Sequence, residues 1–163
     1  MLGQAAKAIA TSAALIFSAA MVQADTVLTL VDHTNQVQTE TMEMTMDELL
    51  ALPQTEVVTG NEYVDGTPRF SGPLLRDVVA LIQPSGATTV KLVALNDYSA
   101  DAPLIEADQY EVILAIKKDG EFLSRRDKGP IWVIYPMDDY AELNDPNFNN
   151  RLVWQLAKLE LTK

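Results

Sequence analysis

Residues 119–139 read DGEFLSRRDKGPIWVIYPMDD, and this stretch combines a turn with the most apolar run of the domain. Asp119-Gly120 is typical of a tight β-hairpin turn. The run Ile131 to Tyr135 lies between two prolines, which predicts a short buried strand. Trp132 and Tyr135 are three positions apart in this strand, so we expect their side chains on opposite faces of a sheet.

The loop before this strand is rich in cations. Arg125, Arg126 and Lys128 lie within four residues, and Lys117 and Lys118 precede them, in a chain with 12 Lys and Arg residues and a formal net charge of -11. Two interpretations remain open. The guanidinium groups form an anion site for a carboxylate, phosphate or sulfate, or the cations only offset the acidic remainder of the chain.

The rest of the chain mixes short strands with short helices. Thr45 stands three residues before Glu48, which predicts a capping box and a short helix that Pro53 stops. A second helix is expected to begin at Ser71-Gly72-Pro73, and Tyr110 to Ile116 fits either a strand or a helix. The other predicted strands are Thr26 to Val31, Thr55 to Tyr63, Val90 to Leu95 and an alternating segment from Leu152 to Leu161, which follows a polar turn at 144–150. Together these elements predict an α+β domain.

Residues 1–24 are expected to be a secretory signal peptide. Lys7 is their only charge, residues 8–21 are apolar or small, and Val22 and Ala24 present small residues at the positions that a signal peptidase inspects. The apolar run is shorter than the roughly 20 residues of a membrane-spanning helix. We therefore expect cleavage after Ala24, no membrane span thereafter, a single domain over 25–163, and a periplasmic location.

Several kinds of chemistry lack the residues that they need. The chain has no cysteine, which excludes thiolate catalysis and cysteine-ligated metals. His33 is the only histidine and is expected in a loop; no G-x-S-x-G and no D-x-[DN]-x-[DN]-G calcium loop occurs. The acidic composition argues against nucleic acid. We assign no catalytic and no metal-binding residue.

Asn96, Asp97 and Tyr98 come directly after a predicted strand, where side chains can leave the core. They are expected either to line a ligand pocket or to form a turn in which Asn and Asp hydrogen-bond to the backbone. Trp154 lies among alternating apolar residues, so we expect it in the core.

Four segments of the chain occur in the order FSGPLLRDVV, VALNDYSADAP, DGEFLSRRDKGPIWVIYP and WQLAKLEL. This ordered set resembles the oxidoreductase molybdopterin-binding domain, which has the sulfite-oxidase-like fold. The resemblance spans about Thr55 to Leu161. It is similar to a subgroup of small exported proteins that consist of this one domain. It implies a mixed α+β domain built around a β-sheet.

The same resemblance implies a molybdenum ligand that this chain lacks. Enzymes of the family hold molybdenum through a cysteine thiolate, near the positions that are Thr59, Gly60 and Asn61 here. A hydroxyl cannot replace soft thiolate coordination without changing the metal chemistry.

The sequence therefore favours a periplasmic, non-catalytic binding or sensing domain, without an assigned cofactor, that recognises a small anion. Asn96, Asp97 and Tyr98 would form one wall of its pocket, and Arg125, Arg126 and Lys128 would supply the charge. One alternative is a molybdopterin-dependent oxidoreductase whose metal is held by the cofactor alone. The other is a protein-interaction module for a membrane sensor or a redox partner.

Overall fold

The computed structural model of the protein describes residues 25–35 and 37–163. The predicted signal peptide, residues 1–24, lies outside the described residues. The strands are β1 Thr26–Asp32, β2 Glu40–Thr45, β3 Gln54–Val58, β4 Arg69–Pro73, β5 Thr89–Ala94, β6 Ser99–Pro103, β7 Ile113–Ala115, β8 Lys117–Lys118, β9 Glu121–Phe122, β10 Trp132–Ile134 and β11 Leu156–Thr162. The α-helices are α1 Met46–Ala51, α2 Leu75–Ala80, α3 Glu106–Gln109 and α4 Pro146–Asn149, and 3-10 turns lie at Arg125–Asp127 and Ala141–Leu143.

Three sheets organise these strands. The largest has the order β2-β1-β11-β5-β6, in which β1 and β11 are parallel and the other neighbours antiparallel. A four-stranded sheet has the order β3-β4-β8-β9, and β10 pairs with β7. The α+β class is thereby confirmed.

The stretch 119–139 has the predicted structure. Asp119 and Gly120 have φ angles of 51° and 87° and join β8 to β9, with Lys117 opposite Phe122. Positive φ at both central residues is the requirement of a type I′ hairpin turn. Trp132 packs with Phe70 in a small second core, whereas Tyr135 lies in the main core, so the two aromatic side chains do face opposite sides.

The capping box at the start of α1 is also confirmed. Glu48 N donates to Thr45 Oγ1 at 3.3 Å, and Thr45 N donates to Glu48 Oε2 at 2.8 Å. The hydrogen bonds that the Glu48 carboxylate accepts from Thr45 N, at 2.8 Å, and from Thr45 Oγ1, at 2.9 Å, lower the pKa of Glu48. His33 is exposed in the loop after β1, as expected.

The predicted helix start at Ser71-Gly72-Pro73 is wrong, because these residues end strand β4 and α2 begins only at Leu75. Gly72 explains the strand: a Cβ there would lie 1.9 Å from the carbonyl oxygen of Leu114. Gly72 and Pro73 therefore belong to β4, where Gly72 allows the strand to pack closely against β7, and they do not form the first turn of a helix.

Other differences concern boundaries and edge strands. The second predicted strand ends at Val58 rather than Tyr63, the ambiguous segment contributes strand β7, and the polar turn contains the short helix α4. Strands β2 and β6, at the two edges of the main sheet, carry polar residues and were not expected.

No helix within residues 25–35 and 37–163 has the length and apolar character that crossing a membrane requires.

Candidate functional site

A pocket of about 260 Å³ opens beside the main sheet, and we call it the aromatic pocket. Three aromatic and three amide side chains line it together with a small apolar floor. The lining residues are Tyr63, Ala94, Asn96, Tyr98, Asn149, Asn150, Leu152, Val153 and Trp154. None of these side chains is charged, so the pocket offers ring faces and neutral hydrogen-bonding groups.

The turn between β5 and β6 supplies one wall. Asn96 Oδ1 accepts a hydrogen bond from Tyr98 N at 3.2 Å, and Asp97 has φ of 65°. Asn and Asp tolerate this left-handed conformation better than most residues. Asn96 therefore serves both the turn and the pocket wall, Tyr98 lines the pocket, and Asp97 does not.

The opposite wall follows α4. Tyr98 Oη donates to the carbonyl oxygen of Asn150 at 2.9 Å, which ties the two walls together. Arg151, the next residue, forms a 2.6 Å ion pair with Glu106. No hydrogen bond within the described residues engages the side-chain amides of Asn149 and Asn150, so these groups are available to a ligand.

The quoted strand β10 supports the floor of the pocket. Trp132 Nε1 donates to the carbonyl oxygen of Leu152 at 3.0 Å, and Val133 N donates to that of Val153 at 2.9 Å. These bonds hold the extended segment that leads into β11, so the most apolar run of the domain fixes one side of the aromatic pocket.

Trp154 does not lie in the core, so the prediction for this residue is wrong. Its side chain is 37% exposed and packs edge to face against Tyr63, with ring centroids 5.0 Å apart. The apolar alternation becomes a strand only from Leu156, so Trp154 precedes the buried pattern. Burial, followed by the nearby Glu62 carboxylate, raises the pKa of Tyr63.

The three predicted cations lie on the neighbouring loop and do not line the aromatic pocket. Gln155, which follows Trp154, connects this loop to the aromatic pocket. Its N donates to the carbonyl oxygen of Lys128 at 3.0 Å, and its Nε2 donates to the carbonyl oxygen of Arg125 at 2.7 Å. Arg125 and Arg126 are exposed, and the ion pairs of the described residues include neither. The Lys128 ammonium lies 5.2 Å from the Trp132 ring centroid.

A second pocket, of about 470 Å³, adjoins the first through Asn149 and contains the segment where the family resemblance places a cysteine. Asp138 hydrogen-bonds to this segment at two points. Its Oδ2 accepts a hydrogen bond from Gly60 N at 2.8 Å, and its N donates to the buried hydroxyl of Thr59 at 3.1 Å. Asn61 Nδ2 is buried without a hydrogen-bond partner in the part of the chain that the structure describes.

Comparison with known proteins identifies the family and the fold of this chain. The family model described as "Oxidoreductase molybdopterin binding domain" matches residues 24–138, more than half of the chain. The chain therefore belongs to this family, and its fold is sulfite-oxidase-like. No curated protein matches the sequence.

Among solved structures, the chain is similar to the sulfane dehydrogenase SoxCD from Paracoccus pantotrophus, with a TM-score of 0.63 and 16% sequence identity. The match covers 83% of this chain and 37% of that chain, so this protein spans well under half of the enzyme chain that it resembles.

The residues of the two pockets do not fit a molybdenum cofactor. Thr59 and Gly60 offer no thiolate, and the two charged residues that line the second pocket, Glu62 and Asp138, are both acidic. The phosphate of a pterin cofactor is best held by cationic groups, and carboxylates repel it. In residues 25–35 and 37–163, no three His, Cys, Asp or Glu side chains form a group that could hold a metal ion.

Sequence reasoning found Asn96 and Tyr98 but missed Tyr63, Asn149 and Asn150. Tyr63 lies about 35 positions before Tyr98 and Asn149 about 50 positions after it, so only the tertiary structure brings these segments together. The run of polar residues at 144–150 was the one available signal, since it is too long for a simple turn.

Proposed function

We propose that this protein is a non-catalytic ligand-binding domain that recognises a small organic anion. The observation that carries the proposal is the aromatic pocket, whose lining combines Tyr63, Tyr98 and Trp154 with unengaged amide groups and no charged side chain. Such a lining binds and orients a ligand, but it supplies no nucleophile, no metal ligand and no shifted carboxylic acid for a reaction.

The apolar part of the ligand would contact the ring faces. Trp154 is exposed enough to offer its surface, and Tyr98 is 47% exposed at the rim. The amides of Asn149 and Asn150 would hydrogen-bond to polar atoms of the ligand. Asn61 Nδ2, in the adjoining pocket, is a buried donor that an acceptor atom would satisfy.

The charge of the ligand would be met at the rim. Arg125 and Arg126 are exposed residues of the neighbouring loop, and the backbone carbonyl of Arg125 accepts a hydrogen bond from Gln155 Nε2. An unpaired guanidinium fork receives a carboxylate or phosphate with two parallel hydrogen bonds. The rest of the chain is acidic and repels anions, so these cations are the groups that would have to meet the charge of the ligand.

The test is a titration of the purified domain with sulfate, inorganic phosphate, and matched aliphatic and aromatic carboxylates, followed by calorimetry and thermal shift. We expect the aromatic carboxylates to bind most tightly. Trp154→Ala and the double variant Arg125→Ala/Arg126→Ala should each weaken binding at least about tenfold, equivalent to 1.4 kcal/mol. Lys163→Ala, at an exposed cation outside the pocket, is the matched control.

Two outcomes would contradict the proposal in different ways. Unchanged binding in the double arginine variant would show that the loop does not bind the anion. The aromatic pocket would then be a site for neutral ligands. Absence of any binding that Trp154→Ala weakens would reject the aromatic pocket as the ligand site.

We also propose that the domain acts in the periplasm after export. The sequence of residues 8–24 supports this proposal. N-terminal sequencing of protein recovered from a periplasmic extract should give Asp25 as the first residue. Recovery of protein that still begins at Met1 in the cytosolic fraction would contradict export.

A further inference from the structure

A third cavity, of about 230 Å³, lies where β1 ends and β2 begins. It shares no lining residue with the aromatic pocket. Every described side chain that lines it carries an oxygen atom, either a carboxylate, an amide or a hydroxyl, and none is a Lys or Arg. We call it the oxygen-lined cavity.

Asp32 is the buried charge of this cavity. The residue is only 6% exposed, and its Oδ1 accepts one hydrogen bond, from Thr34 N at 2.8 Å. None of the ion pairs found among the described side chains includes Asp32. No hydrogen bond found among the described residues reaches its Oδ2, so this carboxylate can take a cation in the cavity.

Glu40 adds a second negative charge. It is the residue directly opposite Asp32 in the antiparallel pair of β1 and β2. Like charges in directly opposite positions destabilise a sheet. Both residues line the oxygen-lined cavity, so one cation there would neutralise the repulsion between them.

Thr34 gives an independent sign of a ligand. The residue is 2% exposed and lines the same cavity, yet its Oγ1 has no hydrogen-bond partner in the described part of the chain. An unpartnered buried hydroxyl costs about 1–3 kcal/mol. A hydroxyl oxygen is also a neutral ligand for a hard cation, so a bound ion would satisfy Thr34 and Asp32 together.

We propose that the oxygen-lined cavity binds one divalent cation, Ca²⁺, through Asp32, Glu40 and Thr34. The amide oxygen of Gln38 and water would complete the set. Ca²⁺ accepts six to eight oxygen ligands in flexible geometry, whereas Mg²⁺ demands a near-ideal octahedron. The two carboxylates come from two strands, which is why no contiguous calcium-loop motif occurs in the sequence.

The site is tested by calorimetric titration of the chelator-treated, purified protein with CaCl₂, with thermal unfolding measured in parallel. We expect one Ca²⁺ per chain, a dissociation constant on the order of 10⁻⁴ to 10⁻³ M, and a higher Tm with Ca²⁺. Asp32→Asn, which is isosteric, should weaken binding at least about tenfold, while the exposed control Asp108→Asn should leave it unchanged.

The variant Thr34→Val tests whether the Thr34 hydroxyl is a calcium ligand or only a buried group. We expect this variant to lose calcium affinity and to have a higher Tm than the wild type in chelator, because it removes an unpartnered hydroxyl. Absence of calcium binding, or equal affinity in the wild type, Asp32→Asn and Thr34→Val, would overturn the site and assign any signal to the acidic surface. The test is independent of the aromatic pocket, since the two share no residue.

Discussion

Glu106 and Arg151 form an ion pair of 2.6 Å in which both side chains are largely buried. Tyr135 Oη donates to the second carboxylate oxygen of Glu106 at 2.9 Å, and Arg151 Nε donates to the carbonyl oxygen of Asp101 at 3.2 Å. The pair joins α3 to the segment that follows α4. Because Arg151 comes directly after Asn150, it fixes the wall of the aromatic pocket.

Removing the charge of Glu106 should therefore destabilise the domain strongly. Glu106→Gln leaves the Arg151 guanidinium without its partner, and loss of one member of a buried ion pair costs about 3 kcal/mol. Asp108→Asn, on the exposed side of the same helix, should change the free energy of unfolding by less than about 0.5 kcal/mol. Urea denaturation of both variants measures the difference, and equal effects would show that the ion pair contributes little.

Tyr135 predicts a loss of stability at alkaline pH. Burial, followed by the neighbouring Glu106 carboxylate, raises its pKa far above the ordinary value of about 10. The unfolded chain can release this proton above about pH 10 while the folded chain retains it, so the contribution of Tyr135 to stability is complete below that pH and is lost as pH rises.

Urea denaturation between about pH 9 and 11 checks this effect. The free energy of unfolding of the wild type should fall more steeply with pH than that of Tyr135→Phe, by up to about 1.4 kcal/mol per pH unit. Parallel curves for the two proteins would mean that Tyr135 ionises freely in the folded state.

Gly72 should be among the least replaceable residues of the domain. Its missing Cβ would meet the backbone of Leu114 at 1.9 Å, and a backbone cannot move aside as the end of a side chain can. We expect Gly72→Ala to cost at least about 3 kcal/mol, whereas Ser71→Ala, one position earlier in β4, should cost less than about 1 kcal/mol. Thermal unfolding of the two variants is the measurement, and a Tm for Gly72→Ala equal to that of the wild type would contradict the close approach.

Local signals in the sequence predicted local structure well. Asp119-Gly120 specifies its hairpin by backbone conformation, the capping box at Thr45 specifies a helix start, and the spacing of Trp132 and Tyr135 places them on opposite faces. Each of these depends on residues within a few positions. The helix start predicted at Ser71-Gly72-Pro73 was wrong because its conformation does not depend on neighbouring residues alone. The contact that decides it is with Leu114 in a distant strand.

The candidate site was only partly predictable. Asn96 and Tyr98 were identified because they follow a recognisable strand, but Tyr63 and the α4 asparagines lie on other segments. Trp154 was assigned to the core because apolar alternation does not show where a strand begins. The cationic loop remains a prediction: it lies beside the aromatic pocket through Gln155 but does not line it.

The most direct test of the account is metal and cofactor analysis of the protein purified from a periplasmic extract of molybdenum-sufficient cells. The chain has no cysteine, and the pocket next to Gly60 presents Glu62 and Asp138 where a phosphate-bearing cofactor would need cations. Native mass spectrometry combined with elemental analysis should therefore find the chain without pterin and with molybdenum far below one atom per chain. One molybdenum and one pterin per chain would contradict the account and establish the protein as a molybdoenzyme.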